Sequence, residues 1–178
     1  MPRRHKGNKN TLLVVAAAAI TVVIGVLILI WLSGRPAKET REIDLYFSDE
    51  EGLYLKAEKR SIDTGPLVTE ARAALNELME GPESASFAPA LPSGTRLIGI
   101  VIEGKTATVD LSKEIVENHP GGSSFEIQTV YSVVNTLALN FPEIEEVQIL
   151  VEGKKTDTIA GHIDVTLPLG PDLKIIKD

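Results

Sequence analysis

Histidine, glycine and serine crowd together once in this chain, at His119-Pro120-Gly121-Gly122-Ser123-Ser124. Two chemistries use such residues. A Gly-rich loop opening a helix cradles anions, because the first-turn N–H groups are unpaired and the helix dipole favours negative charge. Alternatively, Ser123 or Ser124 with His119 or His162 and an acid such as Asp110 supplies the residue types of a serine hydrolase. The spacing fits neither the phosphate-loop nor the dinucleotide pattern, and no Gly-x-Ser-x-Gly or Ser-x-x-Lys phrase is present. Ser123-x-x-Glu126 matches a capping box instead, with hydroxyl and carboxylate each satisfying an orphan backbone donor. The loop therefore reads first as a capped helix start. His119, Gly121, Gly122, Ser123 and Ser124 are kept as a site for an anionic cell-wall or small-molecule group.

Other chemistry is thinner. Asp110 and Glu114 could form a carboxylate pair, but no aromatic cleft flanks them for glycoside hydrolysis, and Asp110 suits a strand-ending cap. His5, His119 and His162 lie far apart in sequence and lack an HExxH or EF-hand pattern, while Asp49-Glu50-Glu51 reads as a solvated acidic turn. Neither a metal nor a cofactor is expected, and the chain reads as non-enzymatic. The absence of cysteine excludes disulfides, thiolate nucleophiles and a lipidated cysteine.

Composition narrows the partners. The net charge is −7, yet Arg3, Arg4, Lys6 and Lys9 give the first ten residues about +4, leaving roughly −11 behind them. Phosphate backbones need a basic face, so nucleic acid is disfavoured. The 178 residues, 43% of them hydrophobic, suggest one ordinary domain with an appendage.

That appendage is read from Thr11 to Leu32, without a charge over its whole length. About 20 apolar residues cross a hydrocarbon core, so this is a transmembrane helix, and the basic residues before it place the N-terminus in the cytoplasm. Trp31 occupies an interfacial position. The run is longer than a cleaved signal's apolar region and no small-x-small pair follows it, favouring an uncleaved signal anchor. The expected organisation is a basic cytoplasmic tail (1–10), the anchor (11–32), a polar linker (33–40) and an extracytoplasmic domain (41–178) on a bacterial cytoplasmic (inner) membrane.

The elements that position the loop follow from periodicity. Ile43, Leu45 and Phe47 alternate with polar residues, as do Leu53, Leu55 and Ala57 after a turn, predicting a hairpin. Leu67, Ala71, Ala74, Leu75 and Leu78 form one helical stripe between Pro66 and Gly81-Pro82. Leu97–Ile102, LIGIVI, suits a central strand covered on both faces, paired with a strand holding Ala107, Val109 and Leu111. One helical turn is expected within Ser112–Glu117. Ile127, Val130, Val133, Val134, Leu137 and Phe141 make the helix after the loop mostly buried. Val147, Ile149 and Val151 form a strand, and Lys154–Ile159 returns as an edge strand. The expected class is α+β: two helices on one face of a mixed or antiparallel sheet, in the order β-β-α-β-β-α-β, with one extra strand allowed.

Several phrases, taken together, resemble the GerMN (sporulation and germination protein M) domain. They are Leu45-Tyr46-Phe47-Ser48 with Gly52-Leu53-Tyr54-Leu55, Leu75-Asn76-Glu77-Leu78 with Gly81-Pro82, and Leu91-Pro92-Ser93-Gly94-Thr95. They continue through Val109-Asp110-Leu111-Ser112 and Val130-Tyr131-Ser132-Val133-Val134-Asn135-Thr136-Leu137. Val147-Gln148-Ile149-Leu150-Val151-Glu152-Gly153-Lys154 and Gly161-His162-Ile163-Asp164 complete the set, spanning about Arg41 to Leu169. The resemblance implies a small α+β module tethered outside the bacterial membrane, of a kind that in spore formers builds rings and assists assemblies between two cells. It carries no catalytic residues. Its implied partner is an envelope or membrane protein, or further copies of the chain. A single domain on a plain anchor departs from the paired domains and lipidated cysteine of some relatives.

Overall fold

The structure is a computed structural model that describes residues 9–33 and 38–177. Arg3, Arg4, His5 and Lys6 of the basic tail, linker residues 34–37 and the Trp31 side chain lie outside what is described. The chain divides into two units, Met1–Lys38 and Glu39–Asp178. The first holds α1 (Lys9–Ser33). Its Leu13–Ile30 window has a mean hydropathy of 3.1 and none of it is buried, long and apolar enough to cross a membrane.

The second unit is α+β, as expected, in the order β1 (Thr40–Asp49), β2 (Leu55–Asp63), α2 (Leu67–Glu80), β3 (Phe87–Ala88), β4 (Leu97–Glu103), β5 (Thr106–Leu111), α3 (Glu114–Glu117), α4 (Ser123–Asn140) and β6 (Glu146–Val151). The strands fall into two three-stranded sheets, ordered β2-β1-β3 and β4-β5-β6. β5 and β6 are parallel, so α4 lies in the crossover that a parallel pair requires.

One core joins both sheets and both long helices. Leu45 and Phe47 of β1, Ala71 and Leu75 of α2, Val109 of β5, Val133 and Leu137 of α4 and Val147 of β6 are fully buried in a single cluster. Burying each large side chain contributes on the order of 1.5–3 kcal/mol, and because the cluster draws on both sheets that burial holds them together.

Four local expectations are corrected. LIGIVI is the outer strand β4 and the alternating segment is the central β5, and Ile98 and Val101 of the apolar run stay exposed. Lys154–Ile159 forms no strand, only a bridge from Lys154 to Val151. In the first hairpin, Leu53 is exposed and belongs to the turn. The face of β2 opposite Ile43 and Leu45 is Arg60 and Glu58, since Ile43 pairs with Arg60 and Leu45 with Glu58. With a side-chain period of two, a one-residue misreading of the turn exchanges the faces.

Arg60 is tolerated there because it is fully engaged. Its guanidinium donates to Glu58 at 2.5 and 3.0 Å, to Glu77 at 3.3 Å and to the Gly81 carbonyl at 3.1 Å. Glu58 also accepts from the N–H groups of Glu83 and Ser84, clamping the turn that follows α2.

Candidate functional site

The 119–124 loop is built around a neutral histidine. Burial holds the His119 imidazole below the usual histidine range against the opposing pull of Glu126. Its Nδ1 accepts the Gly121 N–H at 2.9 Å, and Nε2 lies 3.4 Å from Thr129 Oγ1, which itself donates to the Ala90 carbonyl. Nδ1 as acceptor fixes the proton on Nε2. Gly121 and Gly122 follow at φ 84° and 87°, a region that side chains resist, and swing the chain into α4.

The capping box does not form. The N-cap is Gly122, no side chain bonds there, and Ser123 and Ser124 are exposed. Glu126 instead lies wholly buried and accepts the N–H groups of Ala160 (2.7 Å), His162 (2.7 Å) and Ile159 (2.9 Å), with His162 Nδ1 at 3.1 Å. Burial would raise its pKa, but these amides together hold the carboxyl below the usual range. A nest of donors supplied by a distant loop outcompetes the single N-cap N–H. The anion at this helix start is thus the protein's own, and it fastens the 159–162 segment to α4.

The residues considered for hydrolysis are employed elsewhere. Asp110 Oδ1 accepts the Gly153 N–H at 2.7 Å, holding the turn after β6, and His162 faces Glu126. Asp49 Oδ1 accepts from Leu53 and Tyr54, so the acidic turn organises its own backbone. Beside the 119–124 loop runs a groove of about 450 Å³, lined by Pro89, Leu91, Asn118, Pro120, Phe125 and Thr129 among others.

A different feature escapes motif reading of the sequence. Gln128, Ser132, Thr136 and Asn140 recur every four residues on α4, and that polar stripe lies along β1. Asn140 both accepts the Asp44 N–H (2.9 Å) and donates to the Asp44 carbonyl (2.6 Å). Thr136 Oγ1 accepts the Tyr46 N–H at 3.3 Å, and Ser132 Oγ donates to the Tyr46 carbonyl at 2.6 Å. Gln128 bonds Ser48 Oγ and the Gly52 carbonyl. Side chains stand in for a missing neighbour strand. The signal is present as four polar residues repeating every fourth position along α4, a spacing that puts them on one side of the helix.

The other edges divide sharply. β6 is closed by reciprocal backbone bonds between Val147 and Leu169, both 2.9 Å, and by Gln148 donating to the Val165 carbonyl. β2 carries Lys56, Glu58, Lys59 and Arg60, and the Lys177 N–H bonds its Leu55 carbonyl. Charge on an edge deters pairing. β4 has no charge from Leu97 to Ile102, exposes Ile98 and Val101, and meets no hydrogen-bonding neighbour on its outer side among the described residues.

Comparison with known proteins follows the same outline. No curated protein matches the chain significantly. The crystal structure of a candidate lipoprotein from Clostridium perfringens is similar at 27% identity with a TM-score of 0.54, covering 76% of this chain and 91% of that one. The first GerMN domain of the sporulation protein GerM from Bacillus subtilis is similar at 24% identity and a TM-score of 0.58, over 75% of this chain and 96% of that one. The tandem GerMN domains of the same protein match at 23% and 0.58, over 76% of this chain and 46% of theirs. The family model described as Germane, sporulation and spore germination, matches residues 44–157, from β1 to the segment beyond β6. With that match spanning most of the chain and the fold agreeing, the protein belongs to the Germane family and its domain is of the GerMN type.

Proposed function

We propose that this protein is a single-pass, membrane-tethered module of the bacterial envelope. In this reading α1 is an uncleaved anchor, the N-terminus is cytoplasmic, and the GerMN-type domain stands outside to bind an envelope or membrane protein or further copies of itself. Its role is to hold an assembly together rather than to turn over a substrate, in the sporulation or germination setting for which the family is described. The observation that carries the reading is the outer edge of β4. Strand edges that are not meant to pair are capped, covered or charged, whereas the outer side of β4 is uncharged from Leu97 to Ile102, exposes Ile98 and Val101 and meets no strand neighbour among the described residues.

A photo-crosslinking residue at Val101 of the full-length protein in its native membrane tests this. A defined envelope protein, or the chain itself, should be captured from Val101 and not from Ser61 on the charged β2. Equal or absent capture at both positions overturns the reading.

The groove beside the 119–124 loop favours a second function, ligand binding. Its lining is chiefly apolar, with Glu80, Ser93, Asn118 and Thr129 as polar groups, so a ligand with an apolar body and a hydrogen-bonding end, its charge kept away from Glu80, suits it. Titration of cell-wall fragments followed by amide NMR should shift Gly121, Gly122, Ser123 and Ser124, with Gly122→Val abolishing the effect. Unchanged loop resonances reject it.

A further inference from the structure

The edge of β4 is not only open but palindromic in the faces it presents. Pairing with β5 runs Leu97↔Leu111 and then Gly99↔Asp110, so Ile98 is an extra residue in a β-bulge. The bulge sets the alternation. Leu97, Ile100 and Ile102 turn toward the core, while Arg96, Ile98, Gly99, Val101 and Glu103 lie on the outer face.

Reading the strand backwards against itself, with Ile100 opposite Ile100, matches every face. Arg96 falls opposite Glu103, Leu97 opposite Ile102, and the Ile98-Gly99 bulge opposite Val101. Without the extra residue the register would oppose core-facing to outer-facing positions at one end. Charge agrees with geometry. Arg96 is at one end, its side chain 68% exposed and in a loose 3.4 Å ion pair with Glu114 that the exposed guanidinium can share, and Glu103 is at the other, exposed and without an ion-pair partner among the described residues. Antiparallel pairing places each arginine beside the other copy's glutamate, twice by symmetry, whereas parallel pairing sets like charges side by side. Ile98 and Val101, 49% and 55% exposed, would cover one another.

We infer that β4 is a self-complementary strand through which two copies of this chain pair antiparallel about Ile100, joining their β4-β5-β6 sheets into one of six strands. This rests on the interaction-module reading and names its partner as a second copy. Tethering in one membrane raises the effective concentration of copies for each other, so a contact of one strand's length suffices.

The protein contains no cysteine, so introduced thiols report cleanly. Two differently tagged full-length chains, one Ile98→Cys and the other Val101→Cys, are co-expressed in the membrane and oxidised. Opposed residues sit with Cβ atoms about 5 Å apart, while like residues lie roughly 7–10 Å apart along the strands, beyond disulfide reach. The mixed disulfide should form, and Ile98→Cys with Ile98→Cys or Val101→Cys with Val101→Cys should stay at background. Glu103→Arg and Arg96→Glu should each lower the mixed yield about tenfold, and the doubly exchanged chain should restore it. Unchanged thermal midpoints establish that the variants fold.

Preferred like-with-like disulfides overturn the antiparallel register, as does a double exchange no better than the single ones. Absence of every disulfide, while a crosslinker at Val101 captures a different envelope protein, overturns self-pairing and leaves the interaction reading standing. Absence of both rejects both.

Discussion

The free side of β1 and the outer side of β4 pose the same problem and receive opposite treatment. Both present backbone N–H and C=O groups beyond their last strand neighbour. On β1, Asn140, Thr136 and Ser132 of α4 take up those groups one helical turn at a time, and Gln128, a turn further, holds the Ser48 hydroxyl. On the outer side of β4 no described residue does, and the exposed side chains Ile98 and Val101 are apolar. An edge served by side chains from a buried helix is spent on stability, and an edge left with exposed Ile98 and Val101 is available to another chain. The contrast separates residues that hold the fold from residues that the proposed function uses.

The sharpest test of the holding side is Glu126→Gln. The amide turns an N–H₂ toward backbone donors in a buried nest, costing about 3 kcal/mol. Urea titration measures it, with β4 pairing unchanged per folded molecule. Its pH dependence has a definite sign. The Glu126 carboxyl is held below its ordinary value. Its contribution is therefore complete above the unfolded value, at about pH 4.3, and fades as acid takes the pH through the lower folded value. The gap between wild type and variant should stay constant from neutral to mildly acidic pH and narrow only in stronger acid.

Next is Asn140→Ala, which strips two bonds from Asp44 and leaves its backbone groups unpaired, for a loss of about 2 kcal/mol. A loss below about 0.5 kcal/mol would mean that the side-chain edge is ornamental and the comparison false. On the proposed contact side, Val101→Lys places a charge on an exposed strand position and should alter stability by less than about 0.5 kcal/mol while removing capture by a crosslinking residue moved to Ile98. Conversely, Lys59→Val strips charge from β2 and should make that edge associate, seen by sedimentation, without affecting the β4 contact. Smallest of all, Ser123→Ala should leave stability unchanged within about 0.3 kcal/mol, because the hydroxyl does not cap α4.

Much of the fold is legible in the amino-acid order. The α2 stripe, the β4-β5 hairpin, the burial of α4 and the strand at Val147 depend on short-range periodicity, and each lies where that periodicity puts it. The departures share a cause. LIGIVI looks like a buried strand because apolar runs do not say whether a partner covers them. Ser123-x-x-Glu126 looks like a capping box because the competing donors at 159–162 are more than thirty positions away. The candidate loop itself is visible as His119 through Ser124, but its neutral histidine and its self-supplied anion depend on Thr129, Glu126 and the distant Ala160.

The sequence by itself determined that a charge-free apolar run from Thr11 to Leu32 precedes an acidic α+β domain, that thiol chemistry is absent, and which family phrases occur in order. These are properties of composition and local spacing. Only the tertiary structure decided which strand edges close, where the Glu126 carboxylate goes, and that a bulge at Ile98 gives β4 faces that match their own reverse. Edges and nests are made by segments remote in the chain, so their state depends on which surfaces meet in space, and periodicity carries no record of that.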